Sequence, residues 1–173
     1  MKKILFVLLA VILVLSLVAI PVLASPPDNN ASGDWCYALA DGTDVKQADG
    51  NLFILDFNDN GNWFGTFSGY SNDEGWIVMR DRGYWVFKTT VSFDEVTVLG
   101  RTGGLEMRVN GRIPADWEDF SEYEGKWVIT KAIGDLRGLR GRGTWDGGPT
   151  TNCENTDYPF GVPYAGTVHF KNE

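Results

Sequence analysis

Four parts of the 173-residue chain hold side chains whose types and spacing could do chemistry. Asp56-Phe57-Asn58-Asp59-Asn60-Gly61 matches the front half of a helix-loop-helix calcium loop, which needs oxygen ligands at positions 1, 3 and 5, glycine at 6 and a bidentate glutamate at 12. Position 12 counted from Asp56 is Phe67 and position 9 is Phe64, so the main anionic ligand is missing. The flanks 52–55 and 63–67 are aromatic and aliphatic and read as strands. Between two such runs, Asn-Gly is a hairpin signal, because both residues tolerate positive φ. The stretch is expected to turn a corner, not to hold a metal.

The second is Asp116-Trp117-Glu118-Asp119-Phe120-Ser121-Glu122-Tyr123-Glu124, with five carboxylates. Paired carboxylates hydrolyse glycosides when a rigid frame fixes their separation; here a solvated cover with Trp117 and Phe120 packing down is the expected arrangement. The third is Lys131, which shares a strand face with Trp127 and Ile129. It either lines the interior, where burial would perturb its pKa, or marks the strand end and snorkels to the rim. The fourth is His169, the only histidine. In Thr167-Val168-His169-Phe170 it alternates with apolar neighbours and is expected to face solvent. No nucleophile-elbow sequence accompanies it, so no Ser-His-Asp arrangement is readable. One histidine and two cysteines do not make a zinc site, no phosphate loop occurs, and no cofactor is expected.

These residues sit on an exported chain, as the N-terminus reads. Lys2 and Lys3 precede an apolar run from Ile4 to Ile20, Pro21 breaks it, and Val22-Leu23-Ala24 offers a small-residue cleavage site. Residues 1–24 are therefore expected to be a signal peptide; an uncleaved anchor is the rival reading, given the length of the run. Residues 25–32 are a polar, proline-containing stretch expected to be a disordered linker, and 33–173 one domain. Loss of Lys2 and Lys3 takes the formal charge from −8 to −10, which argues against nucleic acid or an anionic membrane as main partner. Cys36 and Cys153 are expected to form a disulfide, as an even cysteine count does in an oxidising compartment.

From Gly33 on, apolar residues recur at period two. Trp85, Phe87, Val91 and Phe93 alternate with Lys88, Thr90 and Ser92; Leu105, Met107, Val109 and Ile113 alternate with Glu106, Arg108, Asn110 and Arg112. That is the pattern of antiparallel strands with one wet face. Further strands are expected near 34–40, 51–58, 62–71, 75–81, 96–100, 126–133, 138–146 and 164–170, with a helical turn allowed only within 114–124. Many short strands without a sustained helical period indicate a barrel or sandwich.

The run from Lys126 to Trp145 reads as strand, glycine turn, strand. Gly134 and Gly138 supply unusual backbone angles, and Leu136 and Leu139 tuck beneath. With the final Tyr164-Ala165-Gly166-Thr167-Val168-His169-Phe170, and upstream Gly65-Thr66-Phe67-Ser68-Gly69 and Gly83-Tyr84-Trp85-Val86-Phe87, this resembles a group of small bacterial proteins with an allene-oxide-cyclase-like (calycin-like) barrel, related to plant dirigent proteins. Ala132-Ile133-Gly134 stands where that group has Gly-Thr-Gly. The resemblance implies fold, not activity, and no catalytic position of the plant members can be matched here.

The expectation is an all-β, single antiparallel barrel of about eight strands, secreted. The leading function is a non-enzymatic module that binds a small hydrophobic molecule in its barrel or serves a structural or interaction role, since small barrels hold one small ligand. The alternatives are an isomerase or cyclase, as the resemblance implies, and a sugar-binding protein using exposed aromatics. Trp127, Lys131, Trp85 and Phe87 are the side chains expected to touch a ligand.

Overall fold

A computed structural model describes residues 27–37, 44–48, 52–79, 84–114, 123–147, 153 and 160–171. They form β1 (Asn29–Tyr37), β2 (Asp44–Ala48), β3 (Leu52–Gly65), β4 (Phe67–Met79), β5 (Tyr84–Val98), β6 (Arg101–Pro114), β7 (Glu124–Ala132), β8 (Leu139–Asp146) and β9 (Phe160–Phe170). Every sequential pair from β3 to β9 is antiparallel, and β1 closes the ring by pairing with both β9 and β3. β1 lies along 61–65 of β3 and β2 along 52–56, so the two follow one another on a single neighbour as one interrupted strand. The result is a closed eight-strand antiparallel barrel, one of the two architectures that the period-two pattern allows and the one that the resemblance implies.

The two ends of this barrel differ. At one, the strands are joined by Thr66, by Leu99-Gly100 and by 133–138. Backbones there enter the left-handed region at Gly65 (φ 97°), Leu99 (φ 52°), Gly100 (φ 76°), Gly134 (φ 67°) and Gly138 (φ 84°). The Gly134–Leu136 turn is 3-10, and Leu136 and Leu139 are fully buried beneath it, as the glycine spacing predicts. The strand ends at the other end, Ala48, Leu52, Met79, Tyr84, Pro114, Glu124, Asp146 and Phe160, are joined by longer connections in sequence.

The interior is filled with rings. Trp35 and Trp63 stack at 5.2 Å, Phe67 meets Trp63 and Trp127 edge-on at 6.0 and 5.4 Å, and Tyr164 packs on all three of Trp63, Phe67 and Trp127. Such rings fit because glycines stand opposite them. A Cβ at Gly143 or Gly166 would lie 2.6 Å from the Trp127 indole, and one at Gly111 or Gly125 within 2.3 Å of that of Trp145. Trp127 Nε1 donates to Thr144 O and Ala165 O (3.2 Å each), and Trp145 Nε1 to Asn110 O (3.2 Å). Tyr164 Oη donates to Phe64 O (3.0 Å) and accepts from Phe67 N (2.9 Å), which ties β9 to the β3–β4 turn. The Cys36–Cys153 disulfide is present, with Cα atoms 5.5 Å apart and both residues buried. Closure allows this bridge, because β1 pairs with β9 and Cys153 stands seven residues before β9 begins.

Several expectations are corrected. Asp56–Gly61 does not turn: it lies inside β3, with Asn58, Asp59, Asn60 and Gly61 opposite Glu74, Asp73, Asn72 and Ser71. Gly61 serves a close approach instead, since a Cβ there would lie 2.6 Å from Trp35 Nε1 and 2.8 Å from Ser71 Oγ. The expected strands 62–71 and 75–81 give way to a turn at Thr66 and a continuous β4 through 72–74. Those at 85–93 and 96–100 are one strand, β5, with a bulge between Phe93 and Val96. β1 starts at Asn29, inside the stretch expected to be linker, because Ala31 inserts into the core. The signal segment 1–24 and residues 115–122, where a helical turn was allowed, lie outside the described residues.

Candidate functional site

Following the inward positions of β4 and β5 toward the long-connection end, the lining changes character. Deep in the barrel, Val91 and Phe93 are buried against Met107 and Leu105. Beside them stand Ser71 and Asp73 on β4, with Asp73 opposite Val91, and Thr89 on β5, the buried polar side chains among the described residues. Asp73, only 1% exposed, accepts from Trp35 Nε1 at 3.2 Å; Ser71 Oγ accepts from Trp63 Nε1 at 3.1 Å; Thr89 Oγ1 donates to Glu74 O at 2.9 Å. A carboxylate and a hydroxyl are thus held inside an aromatic shell by the two stacked indoles. Buried polar groups need such partners, since each left unmatched costs of the order of 1–3 kcal/mol.

Adjoining this layer, Trp35, Phe87 and Trp145 form an aromatic floor, with Phe87 6.2 Å from Trp35 and 5.9 Å from Trp145. The next inward positions are Tyr37, Ile77, Trp85 and Ile113, all half-buried, and buried Tyr123 at the start of β7. Tyr37, Ile77 and Ile113 pack on the core below. An apolar ring that is partly open to solvent, over a closed floor with polar groups just beneath, is the usual composition of a small-molecule site.

The side chains expected at a ligand fall in different places. Phe87 belongs to the floor and Trp85 to the ring above it. Trp127 is packed deep among Phe67, Tyr164, Gly143 and Gly166. Lys131 stands on the outer surface, so the interior reading of this residue is corrected. The cause is a bulge: Met107 is opposite Ile129 but Glu106 is opposite Lys131, so one extra residue turns Lys131 out of the Trp127–Ile129 face. His169 is half-buried on the outer side of β9, its Nδ1 2.9 Å from Asp28 Oδ1. Asp73 was hidden in Asn72-Asp73-Glu74-Gly75, which reads as a polar break between strands. Its only sequence signal is period two carried through from Phe67, Gly69 and Ser71.

A second feature lies in the wall. Between Ser68 and Asn72 the β4–β5 ladder is interrupted, and a groove of about 530 Å³ opens there, lined by Tyr70, Asn72, Asp94, Glu95 and Thr97 among others. Tyr70 is 68% exposed at its edge. Trp35, Trp63, Trp127 and Trp145 are buried, whereas Trp76, half-buried on the outer side of β4, has Lys88 Nζ 5.2 Å from its ring.

No family model matches the chain, and no curated protein is significantly similar to it. Among solved structures, it is similar to a protein of unknown function from the DUF3224 family of Shewanella oneidensis MR-1, with a TM-score of 0.61 and 15% identity over 85% of this chain and 100% of that one. At that identity the likeness is one of fold: a small β-barrel whose neighbour has no assigned activity.

Proposed function

We propose that this chain is an exported, non-catalytic barrel that takes a small apolar molecule at its long-connection end, on the floor of Trp35, Phe87 and Trp145 and within the ring of Tyr37, Ile77, Trp85 and Ile113. One observation carries the reading: the half-buried apolar inner positions gather at that end, while the centre is occupied by its own rings. The buried disulfide fits export, since such bonds persist in oxidising compartments.

The test is titration of oxidised protein with the neutral fluorescent probe N-phenyl-1-naphthylamine. Saturable binding is expected, weakened about tenfold by Trp85→Ala or Ile113→Ala, since losing contact with one large apolar side chain is worth roughly 1.5 kcal/mol or more. Lys88→Ala, on the outer face of the same strand, leaves it unchanged. Non-saturable binding, or equal effects of inner and outer substitutions, refutes the reading.

The isomerase or cyclase reading is favoured by Asp73, a carboxylate held inside the barrel near the aromatic floor. It predicts an apolar ligand recovered chemically changed from the wild type and unchanged from Asp73→Asn. Recovery unchanged from both leaves the binding module standing.

A further inference from the structure

The chain's charge is segregated. Residues 101–114 and 123–147, which make β6, β7, β8 and the turn between the last two, hold eight Lys and Arg against four Asp and Glu, a net +4. The remainder carries −12, which gives the overall −8. A bias against the sign of the whole protein is not needed for solubility, which the acidic remainder already supplies.

The pairing register shows where these cations stand. Val128 on β7 is opposite Arg108 of β6 on one side and Arg142 of β8 on the other. Lys126 lies two residues from Val128 along β7, and Arg140 two from Arg142 along β8. All five residues are exposed, Val128 by 40%. Carboxylates do occur on this face: Glu124 and Asp146 share a row with Arg112, and Glu106, two residues from Arg108, is opposite Lys131 and accepts from Thr130 Oγ1 at 3.2 Å. Among the described residues, neither Arg108, Lys126, Arg140 nor Arg142 forms an ion pair. Thr130 and Thr144 are exposed beside them. With strands ~4.8 Å apart and alternate residues ~6.7 Å apart, four cations occupy a patch roughly 10 Å wide and about 13 Å long. Three of the four are arginines, whose planar forks match sulfate and phosphate oxygens in pairs.

We propose that the outer face of β6–β8 around Val128 is a docking surface for a linear sulfated glycan, held by Arg108, Lys126, Arg140 and Arg142. Charge complementarity and the composition of the face select this occupant. Val128 is the single apolar side chain in the patch, so there is nothing to insert into a lipid layer. Among the described residues, the ring beside the four cations is the half-buried His169 imidazole, opposite Arg140 and paired with Asp28, which gives no run of platforms for successive bases to stack on, as a single-stranded nucleic acid requires. A flexible polymer with a charged group on each sugar fits an outward-curving array of long cations. This inference is independent of the mouth of the barrel.

The experiment uses the oxidised protein and a size-defined heparin oligosaccharide, with affinity measured between 50 and 300 mM NaCl. Binding is expected to weaken steeply with salt, as displaced counterions require. The R108E/R142E protein should bind at least tenfold more weakly with a shallower salt dependence. R137E/K171E, which changes net charge equally but at the tight-turn end, should stay within twofold of wild type. N-phenyl-1-naphthylamine binding should be unaltered in both, and a matching thermal midpoint shows that R108E/R142E is folded. Equal loss in the two double variants would reduce the effect to net charge and overturn the proposal. So would absence of heparin binding by the wild type, or tighter binding to oligo(dT) or to vesicles rich in anionic lipid.

Discussion

Replacing Trp127 by alanine tests whether the barrel centre is a packed solid. The indole is buried, lies in edge-on contact with Phe67 and Tyr164, and covers Gly143 and Gly166 so closely that neither has room for a Cβ. Truncation removes the ring from between two backbones that cannot move together, because β8 and β9 are fixed to each other from Leu139–Phe170 to Trp145–Tyr164. Tryptophan-to-alanine changes at such sites cost about 3–5 kcal/mol in lost transfer energy and cavity. Loss of the indole N–H, shared between Thr144 O and Ala165 O, adds about 1 kcal/mol. A total of about 4–6 kcal/mol is about a third or more of the ~5–15 kcal/mol typical of a domain. In urea titrations with a slope of ~1–3 kcal/mol/M, the midpoint should fall by about 1.3 M or more, or the protein should be unfolded without denaturant. Trp127→Phe keeps a ring over the glycines and should cost about 1–2 kcal/mol. A loss below about 2 kcal/mol for alanine, or equal losses for alanine and phenylalanine, would show that the centre is loosely packed and refute the reasoning.

Other outcomes follow from single features of the fold. The disulfide closes a sequence separation of 117 residues, for which the chain-entropy model gives about 4.7 kcal/mol, so reduction should lower the thermal midpoint by on the order of 10 °C; unchanged melting would contradict this. Burial, the largest cause, pushes the Tyr164 phenol well above its ordinary range despite the opposing bond from Phe67 N. The unfolded chain releases that proton near pH ~10 while the folded one keeps it, so stability is intact below that pH and lost as pH rises further. Tyr164→Phe should remove that part of the alkaline loss while costing about 1–3 kcal/mol at neutral pH; urea midpoints that fall equally with pH in both proteins would contradict it. Leu99 holds φ 52° in a two-residue turn, so Leu99→Asn should stabilise by about 1 kcal/mol, and a lowered thermal midpoint would show the turn is not strained.

What could be read in the sequence was set by local rules. The β6 alternation is reproduced, with Met107 and Val109 fully buried and Arg108 exposed, although Asn110 is half-buried. The Gly134 and Gly138 turn and the cysteine pair also follow from residues near each other in chain or in closure order. What could not be read depends on long-range packing. Asn60-Gly61 has the composition of a turn, but its glycine is required by an indole from β1, and nothing local announces that. Asp73 sits in a polar run that reads as a break until Trp35 supplies its donor across the barrel. Lys131 keeps the correct period on paper, and a bulge of one residue reverses its face. The open end was legible only as types, in Trp85 and Phe87. Their neighbours Tyr37, Ile77 and Ile113 come from three other strands, and only closure brings them together.

The central claim is that a ligand sits at the long-connection end and not in the centre. Methyl NMR of the oxidised protein, titrated with N-phenyl-1-naphthylamine, tests this most directly. The account predicts saturable shifts at the methyls of Ile77 and Ile113, with those of Val91, Met107 and Val109 nearly still. Shifts centred on Val91, Met107 and Val109 would place the ligand inside a barrel that had opened, and would contradict it.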